Sequence, residues 1–136
     1  MAFAFNVLLR NARLDQITTF AGANALLRIY NSTRPATGGA ISGPTLLAQL
    51  TLNATFAPGS SSGVLTLNAI SSALSAAATG LASWFRIVKA DGTTFVMDGD
   101  VSTQAAGTGD LRLDNTSIVL GGTVAVSSGV LTEGNP

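Results

Sequence analysis

Asp98 and Asp100, two acidic residues separated by one glycine, come closer to a chemical site than any other arrangement in the sequence. Residues two apart in a strand point to the same face, so both carboxylates could reach one hard cation such as calcium. Calcium takes roughly six to eight oxygen ligands, and no EF-hand loop accompanies the pair. A solvated strand end accounts for these residues more simply, and the sequence predicts no metal site.

Catalytic side chains of the common types are missing. Histidine and cysteine are both absent, which excludes an imidazole base, a thiol nucleophile, a Cys/His zinc site and disulfide bonds. Lys89 adjoins the Asp91-Gly92 turn, an exposed position that is poorly suited to activating a serine. A sugar-hydrolysing groove would need more aromatic residues than one Trp and one Tyr. We therefore predict that the protein is not an enzyme and uses no cofactor.

Composition excludes two further classes of protein. The chain has 136 residues with seven basic and seven acidic side chains, so it lacks the basic excess of a nucleic-acid-binding protein. Residues 35–85 carry no charge, but polar residues, glycine and proline interrupt them throughout, and no run of about 18 apolar residues could span a membrane. Met1–Phe5 has no basic residue ahead of its apolar ones, so no secretory signal peptide is predicted.

One helix is predicted, from Val7 to Ala21. Asn6 is suited to cap its first turn, and Gly22 can end it in a left-handed conformation. Leu8 and Leu9 widen the apolar face near the start, while Arg10 and Arg13 are expected on the solvated side. An isolated helix of this length is marginal in water, so it must pack on its own domain or on a partner.

Beyond Gly22 the hydrophobic period changes from 3.6 to 2, which is typical of strands. The clearest signal is the Asp91-Gly92 pair between two alternating runs, which predicts a β-hairpin. Leucines alternate with charged residues from Asp110 to Asp114, which indicates a strand with one solvated face. We predict an all-β fold, a jelly-roll-like β-sandwich of about eight short strands preceded by one α-helix. Residues 1–136 form a single domain with an N-terminal arm and helix (1–22), strands (25–128) and a flexible tail (129–136).

Several side chains are candidates for contact with another protein. Phe3 and Phe5 precede the helix cap, where they either pack the helix onto its own sheet or insert into a neighbour. Trp84 and Arg86 share a strand face and belong to the residue types enriched in binding hot spots, although core packing is the favoured interpretation for the tryptophan. The remaining interface candidates are Leu8, Leu9 and, in the loop after the first strand, Arg34.

Six segments together resemble a group of short virion proteins of tailed bacteriophages. They are Asn11–Asp15 in the helix, Leu27–Tyr30 with Thr33–Thr37 after it, Trp84–Ile87, Ala90–Thr94 and Met97–Val101. The resemblance covers most of the chain, and it depends on the order of these segments more than on any single motif.

The resemblance implies a capsid decoration, or cement, protein, because the chain is similar to that class in size and strand content. Such a protein would be made in the host bacterial cytoplasm and would bind the outer surface of the shell of major capsid protein. A homo-oligomer is expected, a dimer first and a trimer second, formed through an uncovered strand edge. A tail or head-tail connector component remains an alternative, and a carbohydrate-binding module is an alternative of another class.

Overall fold

The computed structural model describes residues 3–133. Helix α1 spans Val7–Ala21, which confirms the predicted bounds. The Asn6 side chain accepts a hydrogen bond from the backbone N–H of Leu8, at 2.8 Å. Gly22 has φ +71° and donates its N–H to the carbonyl oxygen of Thr18. Both ends of the helix are therefore set by the residues that flank it.

Nine short strands follow the helix within residues 3–133. Their bounds are β1 Leu26–Tyr30, β2 Leu46–Thr51, β3 Val64–Thr66, β4 Gly80–Leu81, β5 Trp84–Val88, β6 Phe95–Thr103, β7 Leu111–Leu113, β8 Ser117–Ile118 and β9 Val126–Thr132. Seven strands form one sheet in the order β2-β1-β5-β6-β7-β9-β3, and β4 pairs with β8 in a separate small sheet. The predicted class, an all-β, sandwich-like fold behind one helix, is confirmed.

The predicted hairpin forms the centre of the large sheet. Strands β5 and β6 pair antiparallel, and Arg86 lies opposite Asp98. The Asp91 carboxylate accepts hydrogen bonds from the backbone N–H groups of Thr93 and Thr94, both at 2.8 Å, which closes the connecting turn. Strand β6 then pairs in parallel with the next strand, β7, an arrangement that no local pattern in the sequence indicates.

The hydrophobic core draws on both halves of the large sheet. Leu27 and Ile29 of β1 and Ile87 of β5 share one buried cluster with Leu111 and Leu113 of β7. Residues from α1, β2, β3, β8 and β9 and from the connecting segments, among them Phe56, also belong to this cluster. Strands from the two ends of the sheet therefore contribute side chains to the same core. The sheet buries its apolar side chains between its own strands, as the two layers of a β-sandwich do.

Three local expectations need correction. Residues 129–132 were expected in a flexible tail but belong to β9, which is flanked by β7 and β3, while residues 134–136 of that tail lie outside the described residues. The sequence predicts a second tight hairpin in which Gly121-Gly122 joins strands at 118–120 and 123–126; the glycines do form a turn, but the flanking segments pair elsewhere and make no hairpin. Arg10 turns inward, because its guanidinium donates a hydrogen bond to the carbonyl oxygen of Glu133 at 3.2 Å.

Candidate functional site

Arg86 and Asp98 form a nearly buried ion pair across the central hairpin. Arg86 Nε lies 2.7 Å from Asp98 Oδ1 and Arg86 Nη2 lies 2.9 Å from Oδ2, so the carboxylate is held by both arms of the guanidinium. Their side chains are only 9% and 3% exposed. These hydrogen bonds to Asp98 raise the pKa of Arg86 above its ordinary value, although burial opposes the shift. Arg86 therefore remains charged wherever the protein is folded.

Aromatic rings surround the Arg86 guanidinium. Its central carbon lies 5.6 Å from the ring centre of Trp84 and 5.2 Å from that of Phe95, both within cation–π range. Tyr30 stacks on Trp84, with ring centres 4.5 Å apart. The aromatic–arginine cluster, meaning Tyr30, Trp84, Arg86, Phe95 and Asp98, thus forms a second packed layer on the face of the hairpin that Trp84 and Arg86 share.

The loop at residues 31–45 is fastened to the aromatic–arginine cluster. Arg86 Nη1 donates to the carbonyl oxygen of Gly39 at 2.9 Å, and the N–H of Gly38 donates to Asp98 at 3.2 Å. The Trp84 indole N–H donates to the carbonyl oxygen of Asn31 at 3.1 Å. A long loop without regular structure is therefore held at both its start and its middle by side chains of β5 and β6.

The burial of this cluster decides two predictions from the sequence. Trp84 and Arg86 are 1% and 8% exposed, so in the single chain neither is available as an interface anchor, and core packing is the correct alternative for Trp84. The sequence holds a signal that could have revealed the ion pair. Residues 86 and 98 are equidistant from Gly92, so a hairpin that turns at Gly92 sets them opposite each other.

The Asp98 and Asp100 carboxylates do not form a shared site for a cation. Asp98 is occupied by Arg86, whereas Asp100 is 68% exposed and lies 3.6 Å from Arg34 Nη1. Within residues 3–133 no three potential metal-ligating acidic side chains cluster together. Arg34, at 41% side-chain exposure, is on the loop surface as the sequence suggested, in an exposed pair of the kind that contributes little to stability.

The start of the chain presents apolar side chains to solvent. Phe3, Leu8 and Leu9, here called the arm–helix surface, are 66%, 72% and 47% exposed. Phe3 stacks on Phe5 at 6.0 Å between ring centres, and the Arg13 guanidinium lies 4.9 Å from the centre of the Phe5 ring. The arm therefore folds back along the first two turns of the helix, and Phe3 stays outside the core.

Polar contacts fix the helix beneath the arm–helix surface. Asn11 Oδ1 accepts the N–H of Gly63 at 2.8 Å, and Asp15 Oδ1 accepts the N–H of Ser60, also at 2.8 Å. Leu14 is buried in the core at 4% exposure. The helix is thus docked through one face, while the leucines of its first turn point away from the protein.

A polar pocket of about 480 Å³ opens between the end of β2 and the segment at residues 69–73. Its lining includes the amides of Asn24, Gln49 and Asn53 and the hydroxyls of Ser71 and Ser72. Its lining includes no aromatic side chain that could stack on a sugar ring. The pocket therefore does not favour a carbohydrate-binding module.

No protein family, curated protein or solved structure matches the chain. Among residues 3–133, no helix has both the length and the apolar character needed to cross a membrane. The features available for function among the described residues are therefore those of the chain itself, and the arm–helix surface is one that presents large apolar side chains to solvent.

Proposed function

We propose that this protein is a structural component of the virion of a tailed bacteriophage. In this role it acts as a decoration or cement protein, which binds the outer surface of the major capsid protein shell and stabilises the head. The observation that carries the proposal is the arm–helix surface, where Phe3 and Leu8 are 66% and 72% exposed. Large apolar side chains gathered on an exposed surface are typical of a site that binds another protein. The resemblance to virion proteins of tailed phages, together with the similarity to decoration proteins in size and strand content, supports the capsid shell as the partner that we propose.

A rigid support makes the arm–helix surface suited to binding. Helix α1 is fixed by its cap, by Leu14 and by the hydrogen bonds of Asn11 and Asp15. The backbone beneath Leu8 and Leu9 is therefore already ordered before the partner arrives. A surface that is ordered in advance loses less conformational entropy on association, so more of the burial energy contributes to affinity.

Each copy would contribute modest binding energy. Complete burial of a leucine is worth about 1.5–3 kcal/mol, so Leu8 and Leu9 together supply only part of a stable contact. Each copy belongs to an oligomer, and many copies bind one shell, so attachment is strengthened through effective concentration. The low content of charged residues, 10%, further reduces the cost of removing water from a wide contact area.

The double substitution Leu8→Gln, Leu9→Gln tests this function. We expect the variant to lose most of its co-sedimentation with expanded shells of major capsid protein while keeping the melting temperature of the free chain. Phe20→Gln is the matched control, because Phe20 is on the same helix and 50% exposed but lies at its other end. Unchanged binding of the double variant, or equal loss in the control, would contradict the role assigned to the arm–helix surface.

Copy number separates the shell from the tail. A decoration protein should be present in purified particles at a stoichiometry close to that of the major capsid protein, measured by quantitative mass spectrometry. A few copies per particle would instead support the alternative of a tail or head-tail connector component.

A further inference from the structure

A second exposed apolar surface lies at the opposite end of the sheet strands from α1. Leu74, Leu81, Val119 and Leu120, here called the tip patch, are 81%, 64%, 62% and 64% exposed. Helix α1 leads into the Leu26 end of β1, whereas the tip patch adjoins the Tyr30 end, where the N–H of Ser83 donates to the Tyr30 carbonyl oxygen at 2.9 Å. The two apolar surfaces therefore face different neighbours.

The tip patch is held in place by backbone hydrogen bonds. The N–H of Gly121 donates to the Ala76 carbonyl oxygen at 2.9 Å, and the N–H of Ala76 donates to the Gly122 carbonyl oxygen at 2.8 Å. The N–H of Leu120 donates to Thr79 Oγ1 at 2.9 Å. The N–H of Ala77 donates to the Leu47 carbonyl oxygen at 2.8 Å, which attaches this region to the large sheet. The exposure of these side chains is thus built into ordered structure.

The exposed Asp114 borders the tip patch, where it lines a pocket with Val119, but the tip patch itself carries no charge. Residues 69–83 and residues 115–127, the two segments that form it, contain no Asp, Glu, Lys or Arg. A two-fold symmetric interface sets the same surface against itself, so any unpaired charge near the axis would meet its own kind. A neutral surface avoids this repulsion, and it offers nothing to attract a nucleic acid or a charged peptide.

The size of the tip patch also suits self-association. Four largely exposed aliphatic side chains amount to roughly 300–600 Å² of apolar surface, the scale of the largest patches on monomeric proteins. Stable interfaces bury about 800 Å² on each partner, with a polar rim around an apolar centre. Exposed hydroxyl residues that flank the leucines, such as Ser75, Thr79 and Ser117, can supply that rim.

We infer that the tip patch is the contact through which two copies of this chain form a symmetric homodimer. The inference rests on the free chain alone and does not depend on the capsid role. The inference assigns the arm–helix surface and the tip patch to different partners. A dimer formed through the two tip patches would present two arm–helix surfaces pointing outward. Such a dimer could bridge two neighbouring molecules of a larger assembly.

Sedimentation equilibrium of the full chain over a concentration series tests the inference. We expect a reversible monomer–dimer equilibrium, and we expect Leu74→Ser with Leu120→Ser to raise the dissociation constant by about tenfold or more for each leucine replaced. Leu8→Gln with Leu9→Gln should leave that constant unchanged. Circular dichroism and melting temperature establish that each variant is folded.

Three results would overturn the inference: a chain that is monomeric at every concentration, a trimer, or a dimer that persists in the folded tip variant. Because no shell is present in this experiment, failure of the dimer leaves the capsid proposal standing. Conversely, a failure of the protein to bind shells would not contradict a dimer that forms through the tip patch.

Discussion

The buried ion pair of Arg86 and Asp98 offers the most direct test of how this fold holds its long loop. Replacing Asp98 with leucine would leave the Arg86 guanidinium 9% exposed and without its counter-ion. It would also remove the acceptor for the N–H of Gly38. Breaking a buried pair by removing one partner costs about 3–5 kcal/mol, a large share of the roughly 5–15 kcal/mol by which a domain is stable.

A double-mutant cycle separates the pair interaction from the cost of an orphaned charge. We expect Asp98→Leu and Arg86→Met each to lower the free energy of unfolding by about 3–5 kcal/mol, and the double variant to lose much less than their sum. The double variant replaces both charges with apolar groups, which can pack against Trp84 and Phe95 without an uncompensated charge. Its remaining loss should come mainly from the hydrogen bonds to Gly38 and Gly39.

Urea unfolding followed by the fluorescence of Trp84 measures these free energies, because Trp84 is the single tryptophan and contacts Arg86. The control is Arg34→Met, which breaks the exposed contact with Asp100 and should change stability by no more than about 1 kcal/mol. Two results would refute the assignment of Arg86 and Asp98 as a coupled buried pair. One is a loss of less than about 1 kcal/mol in the free energy of unfolding for each single substitution. The other is a loss in the double variant that equals the sum of the two single losses.

Two further predictions concern the central hairpin. In Gly99→Ala the new Cβ would lie 2.5 Å from two atoms of the buried Phe85 ring, so we expect urea unfolding to show a loss of about 1–3 kcal/mol in stability. Gly59→Ala is the control, because its new Cβ has no atom within 4 Å and should change stability very little. Equal effects of these two substitutions would show that the Phe85 ring yields freely. Hydrogen bonds from the Thr94 hydroxyl and from the N–H groups of Thr94 and Thr93 lower the pKa of Asp91 to about 2 from an ordinary 3.8. The stabilisation by ionised Asp91 is therefore complete above pH 3.8 and lost as pH falls toward 2, so Asp91→Asn should flatten the dependence of melting temperature on pH across that window. A variant as acid-sensitive there as the parent chain would argue against the turn contacts of Asp91.

Local sequence signals predicted the elements whose boundaries depend on neighbouring residues. The helix from Val7 to Ala21 follows from its cap residue, its period and Gly22, and the central hairpin follows from the Asp91-Gly92 pair. The strand Leu111–Leu113 follows from the alternation of leucines with charged residues. In the structure both leucines are buried and Arg112 between them is partly buried. For the helix and the hairpin turn, the decisive interactions join residues close together in the chain.

Side-chain roles that depend on distant segments were not readable in the same way. The sequence placed Arg10 on the solvated side of the helix, yet the carbonyl oxygen of Glu133, 123 positions away, accepts its hydrogen bond. Residues 129–132 were expected in a loose tail, because nothing local shows that β7 and β3 will pair on either side of them. Leu74 and Leu120 likewise lie in two segments that are distant in sequence and are joined by hydrogen bonds between residues 73–79 and 120–124.

The sequence by itself determined that this protein is built of short strands behind one capped helix and lacks histidine and cysteine, since composition, period and turn residues act locally. Only the tertiary structure decided which polar and apolar side chains face solvent. Asp98 is neutralised because the hairpin register sets it opposite Arg86, and Trp84 is covered by the stacked ring of Tyr30 and donates its indole N–H to the Asn31 carbonyl oxygen. Burial is a property of what packs against a side chain, and those neighbours come from parts of the chain that folding alone brings together.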